Sequence, residues 1–321
     1  MRRVGLIGLG GIARAHARHW KGIPGIELVG YDRSPERTTE FCQQWEITPC
    51  DSLEQLMDQV FAVDICTPTD SHRALAEEAL GRGLYVLLEK PIAPNLEDCE
   101  ALVEASRASS AWMMPAQVVR FFADYAAAHR LVQQGAVGRP AAIRTHRGGP
   151  APVGAGGWFR DMKKSGGVLL DLAVHDFDWI RWTFGPVRRV ISRSYGLNQD
   201  GADRDVALTT LELDSGAVAH VSATWMDPAG FRTHFEVCGS EGMLEFDTRK
   251  SFSIKTSTEQ RQQTESGHDP MDDPYRKEIE GFLDAIDHGT PPPVTPEDGL
   301  EAVRIAVAAM GSARSGAAVA L

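Results

Sequence analysis

A histidine placed near carboxylates at helical spacing is the arrangement in this sequence best suited to moving protons. In SGGVLLDLAVHDFDWIRW, residues 165–182, Asp171, His175, Asp178 and Trp182 recur at i, i+4, i+7 and i+11, so on a helix they share one face. Imidazole titrates near neutral pH, and a neighbouring carboxylate can orient the ring and stabilise the imidazolium. A polar strip is also the ordinary solvent side of an amphipathic helix, and spacing alone leaves both readings open. Lys90, in LLEKPIA at 87–93, ends an apolar strand. Ligands collect at the carboxyl ends of strands in open α/β sheets, and an ammonium there could hydrogen-bond a substrate hydroxyl. Read without that context, Lys90 is an exposed lysine with Glu89 as its partner.

The strongest local pattern is VGLIGLGGIARAH, in which a strand runs into Gly8, Gly10 and Ala13 at G-x-G-x-x-A spacing and then into a helix. Gly8 permits the tight turn, Gly10 lets backbone approach a pyrophosphate, and Ala13 lets helix and strand pack closely. Gly10, Gly11 and Ile12 open a helix whose unpaired N–H groups and positive dipole end favour phosphate. Asp32 lies 19 residues beyond Ala13, at the end of the second strand, where a carboxylate accepts from ribose hydroxyls. That favours NAD over NADP. The alternative is a turn or cap residue before the Pro35 helix, and Arg33 beside it could pair with a 2′-phosphate, which keeps NADP open.

Elements that would position these groups follow from the patterning. Val4–Gly8, Ile26–Tyr31, Ala62–Cys66, Tyr85–Leu88 and Trp112–Gln117 read as strands alternating with helices, which predicts a parallel sheet buried on both faces. Ser34 and Asn95 are suited to cap two of those helices. Beyond Phe121 a helical stretch leads to Pro140–Arg147, and then Val187–Tyr195, Val206–Leu213, Ala217–Trp225, Phe231–Gly239 and Met243–Phe246 alternate between turn residues. These predict a mostly antiparallel, open-faced sheet in an α+β unit. The expected division is a Rossmann domain over 1–120 and a substrate-binding and oligomerisation domain over 121–295. A final helix, about 296–315, returns to the first, and Thr256–Pro274 is expected to be a loop.

Composition narrows the classes. A chain of 321 residues exceeds the usual single core, and its 43% apolar and 24% charged residues are those of a globular protein. A formal net charge of -11 with scattered lysines and arginines argues against nucleic acid and against anionic membrane as partners. Five widely spaced cysteines fit reduced thiols in a cytoplasmic protein and no structural zinc. The remaining histidines, including His16 with His19 and His268 with His288, show no ligand spacing, so no metal is expected.

Taken together, the N-terminal fingerprint, LLEKPIA and SGGVLLDLAVHDFDWIRW resemble the family of glucose-fructose oxidoreductase, inositol dehydrogenase and MocA proteins, in order and spacing over nearly the whole chain. The resemblance implies an NAD(P)-dependent dehydrogenase acting at a CH–OH or C=O carbon of a sugar, a cyclitol or a related polyhydroxy compound. It also implies a homodimer or homotetramer built through the C-terminal sheet. It assigns catalysis to Lys90, Asp171 and His175: Lys90 hydrogen-bonds the substrate oxygen, His175 exchanges its proton, and Asp171 sets the imidazole. Thr67, Pro68, Thr69 and His72, in ICTPTDSH, then fall near the cofactor with Glu89 and Lys90. The alternative for Thr69 or Asp70, a cap on the next helix, ranks behind cofactor contact; Gln117, Arg120, Trp158 and Arg160 become the expected substrate contacts, although Trp158 is equally compatible with packing. Two other activities use the same fold: NAD-dependent glycoside hydrolysis through transient oxidation, and non-catalytic sensing of NAD or sugar.

Overall fold

The computed structural model describes residues 1–152, 157, 159, 161–196, 205–250, 254–258, 262–265 and 273–321. They form two compact units, Met1–Val118 with Asp273–Leu300, and Val119–Asp272 with Glu301–Leu321.

The first unit is built on six parallel strands, β1 (Arg2–Ile7), β2 (Ile26–Tyr31), β3 (Thr48–Pro49), β4 (Ala62–Ile65), β5 (Tyr85–Glu89) and β6 (Met113–Ala116). Their order is β3-β2-β1-β4-β5-β6, so the direction of winding reverses between β1 and β4. Ile7 stands opposite Tyr31 on one side and Ile65 on the other, and the row continues through Leu88 to Pro115. Every chain therefore leaves the sheet at nearly the same level. Val4, Leu6, Val63, Ile65, Val86 and Leu88 are fully buried, as continuous apolar runs covered on both faces require. Between strands lie α1 (Gly11–Trp20), α2 (Pro35–Trp45), α3 (Leu53–Met57), α4 (His72–Gly81) and α5 (Leu96–Ala108). Ser34 Oγ accepts from Arg37 N at the start of α2, and Asn95 Oδ1 accepts from Asp98 N at the start of α5, as their residue types predict.

The second unit opens with α6 (Ala123–Gln133) and β7 (Pro140–Gly148), followed by α7 (Met162–Ser165) and α8 (Val174–Phe184). The remaining strands are β8 (Val187–Ser194), β9 (Val206–Leu213), β10 (Val218–Thr224), β11 (Arg232–Gly239), β12 (Met243–Asp247), β13 (Ile254–Ser257), β14 (Gln262–Glu265) and β15 (Val319–Ala320). They give a nine-stranded sheet in the order β14-β13-β12-β11-β7-β10-β9-β8-β15, antiparallel except where β7 meets β10. Alternation puts Ile143, Ala219, Leu211 and Phe235 into the core. On the other face Leu208 is left 63% exposed.

Two expectations need correction. The polar stretch after Thr256 is not simply a loop, since β13 and β14 form a hairpin there. An edge strand needs no apolar alternation when its pairing is through backbone, so Gln and Thr conceal it. Asp273–Leu300 gathers with the first unit, although the sequence reading gave 121–295 entirely to the second. The cause is α9 (Pro274–His288), whose Ile279 and Phe282 are fully buried. Phe282 meets Trp20 and Trp112 edge-on, with ring centroids 6.3 and 5.4 Å away. Helix α10 (Pro296–Ser315) belongs with the first unit only as far as Leu300. Among the described residues no helix is long and apolar enough to cross a membrane.

Truncating Phe282 to Ala should remove the aromatic anchor of α9 and cost about 3 to 5 kcal/mol. Urea unfolding of the variant checks this, and a loss under 1 kcal/mol would show that α9 contributes little to the first unit.

Candidate active site

In the first unit the strand ends bring most of the predicted groups to one edge. Gly8 follows β1, Asp32 follows β2, Thr67 lies two residues beyond β4, Glu89 closes β5 with Lys90 next, and Gln117 follows β6. In sheet order they read Asp32, Gly8, Thr67, Lys90, Gln117, and Gly8 and Thr67 flank the reversal where ligands bind in open α/β folds.

The turn at Gly8 has φ +86°, and a Cβ there would lie 2.6 Å from Thr67 Cγ2 and 2.8 Å from Thr67 N. Only glycine permits both the conformation and the approach. Cβ atoms at Gly10 and Gly11 would meet nothing within 4 Å, so open space lies before the first turn of α1. No side chain caps that helix and no acidic residue occupies its first turn. Its N–H groups are thus available to a pyrophosphate. Asp32 is held by Leu9 N at 3.0 Å and Ser34 N at 3.0 Å, which aims its carboxylate back at the glycine turn. Arg37 also reaches Asp32, at 3.2 Å, while Arg33 is exposed. Arg37, which the sequence pattern does not single out, lies in the first turn of α2. These features fit a dinucleotide.

The loop after β4 is tied down by Ser71 Oγ, which donates to Pro68 O and accepts from Thr67 Oγ1, both at 2.8 Å. Thr69 is buried at the start of a 3₁₀ turn. His72 is fully buried, with Nδ1 3.0 Å from Pro91 O and Nε2 2.9 Å from Thr67 O. Its ring faces two backbone carbonyls, so it staples the Thr67 loop to the Lys90–Pro91 turn rather than meeting a ligand directly. Burial lowers its proton affinity. The Gln117 carboxamide is 1% exposed, and neither its oxygen nor its nitrogen is hydrogen-bonded among the described residues. A polar ligand would satisfy it.

In the second unit, the stretch read as one helix from Gly166 is a π-helical turn, Val168–Leu172, followed by α8. Such turns insert one residue into the helical path, so Asp171, inside the turn, is displaced from the face on which His175, Asp178 and Trp182 recur along α8. Gly167, at φ +66°, enters the turn where a Cβ would lie 2.4 Å from Asp205 Oδ2, and the same oxygen accepts from Val168 N at 2.9 Å. Asp205, buried and unforeseen from sequence, therefore seats the turn that presents Asp171, itself 7% exposed.

Helix α8 is fixed by charge on two sides. Asp176 accepts from Arg147 Nε at 2.7 Å, and Asp178 takes Arg120 Nε at 2.8 Å and Nη2 at 2.6 Å. Trp182 stacks on His129 with centroids 3.5 Å apart, and the Arg120 guanidinium lies 5.2 Å from the Trp182 ring. Arg120, named above as a substrate contact, is 5% exposed and braces α8 instead. Trp158 and Arg160 lie outside the described residues. His175 stands in the first turn of the helix so held.

Among the described residues His16, Asp64 and Cys66 are the one group of ligand-type atoms close enough for a metal ion, all within 4.8 Å of one another. Those atoms already share hydrogens: Asp64 Oδ2 accepts from Trp20 Nε1 at 2.7 Å and His16 Nδ1 at 2.8 Å, and Cys66 Sγ donates to Oδ1 at 3.4 Å. Burial raises the Cys66 thiol, which keeps it protonated.

Fold and turn together define a dinucleotide-binding protein with a second, sheet-based unit. Residues 2–117 match the oxidoreductase family with an NAD-binding Rossmann fold, and residues 125–245 match the GFO/IDH/MocA C-terminal domain. The chain belongs to the Gfo/Idh/MocA family and is an NAD-dependent oxidoreductase. It is 29% identical to the inositol 2-dehydrogenase of Rhizobium meliloti (strain 1021), over 97% of this chain and 96% of that one. It is 30% identical to the 1,5-anhydro-D-fructose reductase of Ensifer adhaerens, over 99% and 98% respectively. Levoglucosan dehydrogenase in complex with NADH and levoglucosan has the same fold, with a TM-score of 0.90 at 22% identity, covering 100% of this chain and 99% of that one.

Replacing Gly8 by Ala should cut NAD affinity at least about tenfold, because the new methyl meets Thr67 backbone and a left-handed φ is strained. Calorimetric titration of NAD into the folded variant measures this, and unchanged affinity would remove the turn from the cofactor site.

Proposed function

We propose that the chain interconverts a CH–OH carbon and a ketone in a cyclitol or sugar, with NAD as hydride carrier. The observation that carries the reading is the row of strand-end groups from Asp32 to Gln117, which joins a dinucleotide turn to Lys90 and to a buried, unsatisfied carboxamide. A polyhydroxy compound supplies the donors and acceptors such groups require. The named relatives support the class, one acting on inositol and one on 1,5-anhydro-D-fructose. Neither name supports glycoside hydrolysis or sensing.

NAD, when bound, supplies a nicotinamide carbon that accepts or returns hydride. The residues supply the rest. His175 takes the hydroxyl proton, Asp171 orients its imidazole, and Lys90 donates a hydrogen bond to the oxygen as it becomes a carbonyl. Reduction reverses these transfers. Thr67, Pro68 and Thr69 with Glu89 contact the cofactor end, and Gln117 contacts the substrate. Asp32 selects NAD by accepting from ribose hydroxyls and opposing a 2′-phosphate.

The outer face of the nine-stranded sheet pairs this chain with a second copy of itself. Support comes from exposed Leu208 and from a shallow depression of about 540 Å³ lined by Arg144, His146, Leu208, Thr210, His220 and His234. The five cysteines, none of them in a disulfide, support a cytoplasmic location.

Incubating the protein with NAD and a panel of inositols, aldoses and anhydro sugars should produce NADH absorbance with one substrate group. His175→Ala should then lower kcat by about 10² to 10⁴ while NAD affinity holds; an unchanged kcat would exclude His175 from proton transfer. Leu208→Arg, which puts a charge on the open face, should shift the species seen by light scattering to a smaller mass. Identical masses for both proteins would rule out assembly through this face.

A further inference from the structure

Beneath the strand ends, the first unit buries an ionisable cluster of which the chemistry above uses only Glu89. His16 on α1 is fully buried. Its Nδ1 lies 2.8 Å from Asp64 Oδ2 on β4, and its Nε2 lies 3.2 Å from Glu89 Oε1 at the end of β5. The second contact is an ion pair rather than an aligned hydrogen bond. Asp64 also accepts from Trp20 Nε1 and from the Cys66 thiol, so its oxygens act as acceptors and His16 Nδ1 must be the donor. A neutral ring would then turn the Nε2 lone pair toward a carboxylate oxygen in a dry interior. That contact is repulsive, and a second proton makes it attractive.

The surroundings fit this assignment. From α9, Tyr275 sets its ring 5.8 Å from the His16 ring, and burial pushes its hydroxyl up to about 12, which keeps it neutral. Glu278, also on α9, is fully buried with no hydrogen-bond partner for either oxygen among the described residues, and burial holds it well above the usual carboxylate range. Burial without a partner favours its neutral form. Burial works against charge on His16, yet the Asp64 charge and hydrogen bond outweigh it and raise its proton affinity well above the ordinary value.

We propose that His16 is a permanent imidazolium that positions Lys90 through Glu89. Glu89 Oε2 accepts from the Lys90 backbone N–H at 3.0 Å, while its Oε1 faces His16. The imidazolium holds that carboxylate at the turn and neutralises it, so Glu89 does not draw the neighbouring Lys90 ammonium away from a substrate oxygen. The same helix that offers its first turn to the pyrophosphate thereby sets the lysine. This role rests on the dehydrogenase reading, but the charge state of His16 does not.

The test combines ring-nitrogen NMR of histidine-labelled protein with His16→Gln, Glu89→Gln and their double variant. Two slowly exchanging ring N–H signals, missing in His16→Gln and shifted in Glu89→Gln, should be present at neutral pH. His16→Gln should bind NAD within about threefold of the parent and lose roughly 10- to 100-fold in kcat with little change in KM. Adding Glu89→Gln should recover a large part of that loss, because an amide at 89 needs no imidazolium. Additive losses, or a His16 ring neutral at pH 7, would overturn the proposal. Glu278→Gln should leave kcat and its pH profile unchanged; a lower kcat would mean that Glu278 is ionised and is the true partner of His16. If no panel compound turns over, or if His16→Gln does not fold, the NMR signals of the parent and Glu89→Gln still decide the charge. Failure of the panel alone counts against the dehydrogenase reading only.

Discussion

No side chain can stand between Gly8 and the chain leaving β4, and the first unit is arranged around that exclusion. Backbone at Gly8 and Thr67 comes together because a parallel sheet with a winding reversal sends its two central strands out side by side, with their helices on opposite faces. The tight turn allows α1 to begin at once, with an uncapped first turn facing open space. Everything else at that edge inherits its height from the in-register row Tyr31, Ile7, Ile65, Leu88 and Pro115. Asp32, Lys90 and Gln117 need no special loops to reach a common level; the ladder supplies it.

The second unit solves a different problem, which is to hold one helix at one rotation. Burying Arg120 with Asp178 and Arg147 with Asp176 sacrifices hydration, and the net gain from each pair is small. Their geometry is demanding, however, and a helix rotated by one residue would leave up to four charges unpaired in the core. That cost, several kcal/mol for each broken pair, is what fixes α8 and hence His175. The π turn before it sets Asp171 by a separate route, through Asp205 and the Gly167 entry. His175 and Asp171 are thus anchored by different parts of the second unit.

Parts of this were open to inspection of the chain. Gly8, Gly10, Ala13 and Asp32 announce a βαβ dinucleotide unit because the steric demands on them are local, and the alternating runs from Val187 to Phe246 announce an antiparallel sheet. Other parts were hidden for identifiable reasons. His16 and Asp64 are 48 residues apart, Val168 and Asp205 are 37 apart, and nothing in either neighbourhood marks them as partners. As a polar side chain close after β6, Arg120 suits a polyhydroxy substrate, yet it is buried against α8. Its partner Asp178 lies 58 residues away. Helix α9 carries its apolar face plainly, at Ile279, Phe282 and Leu283, but periodicity does not say which core receives it.

The sequence by itself determined what each short segment can do, since turn conformation, strand alternation, helix capping and the chemistry of a side chain act over a few residues. Only the tertiary structure decided which buried charges meet, and with them whether a polar residue serves a ligand or the scaffold. Leaving a charge unpaired in a low-dielectric core costs far more than any local preference supplies, and which charges meet is specified by the fold as a whole.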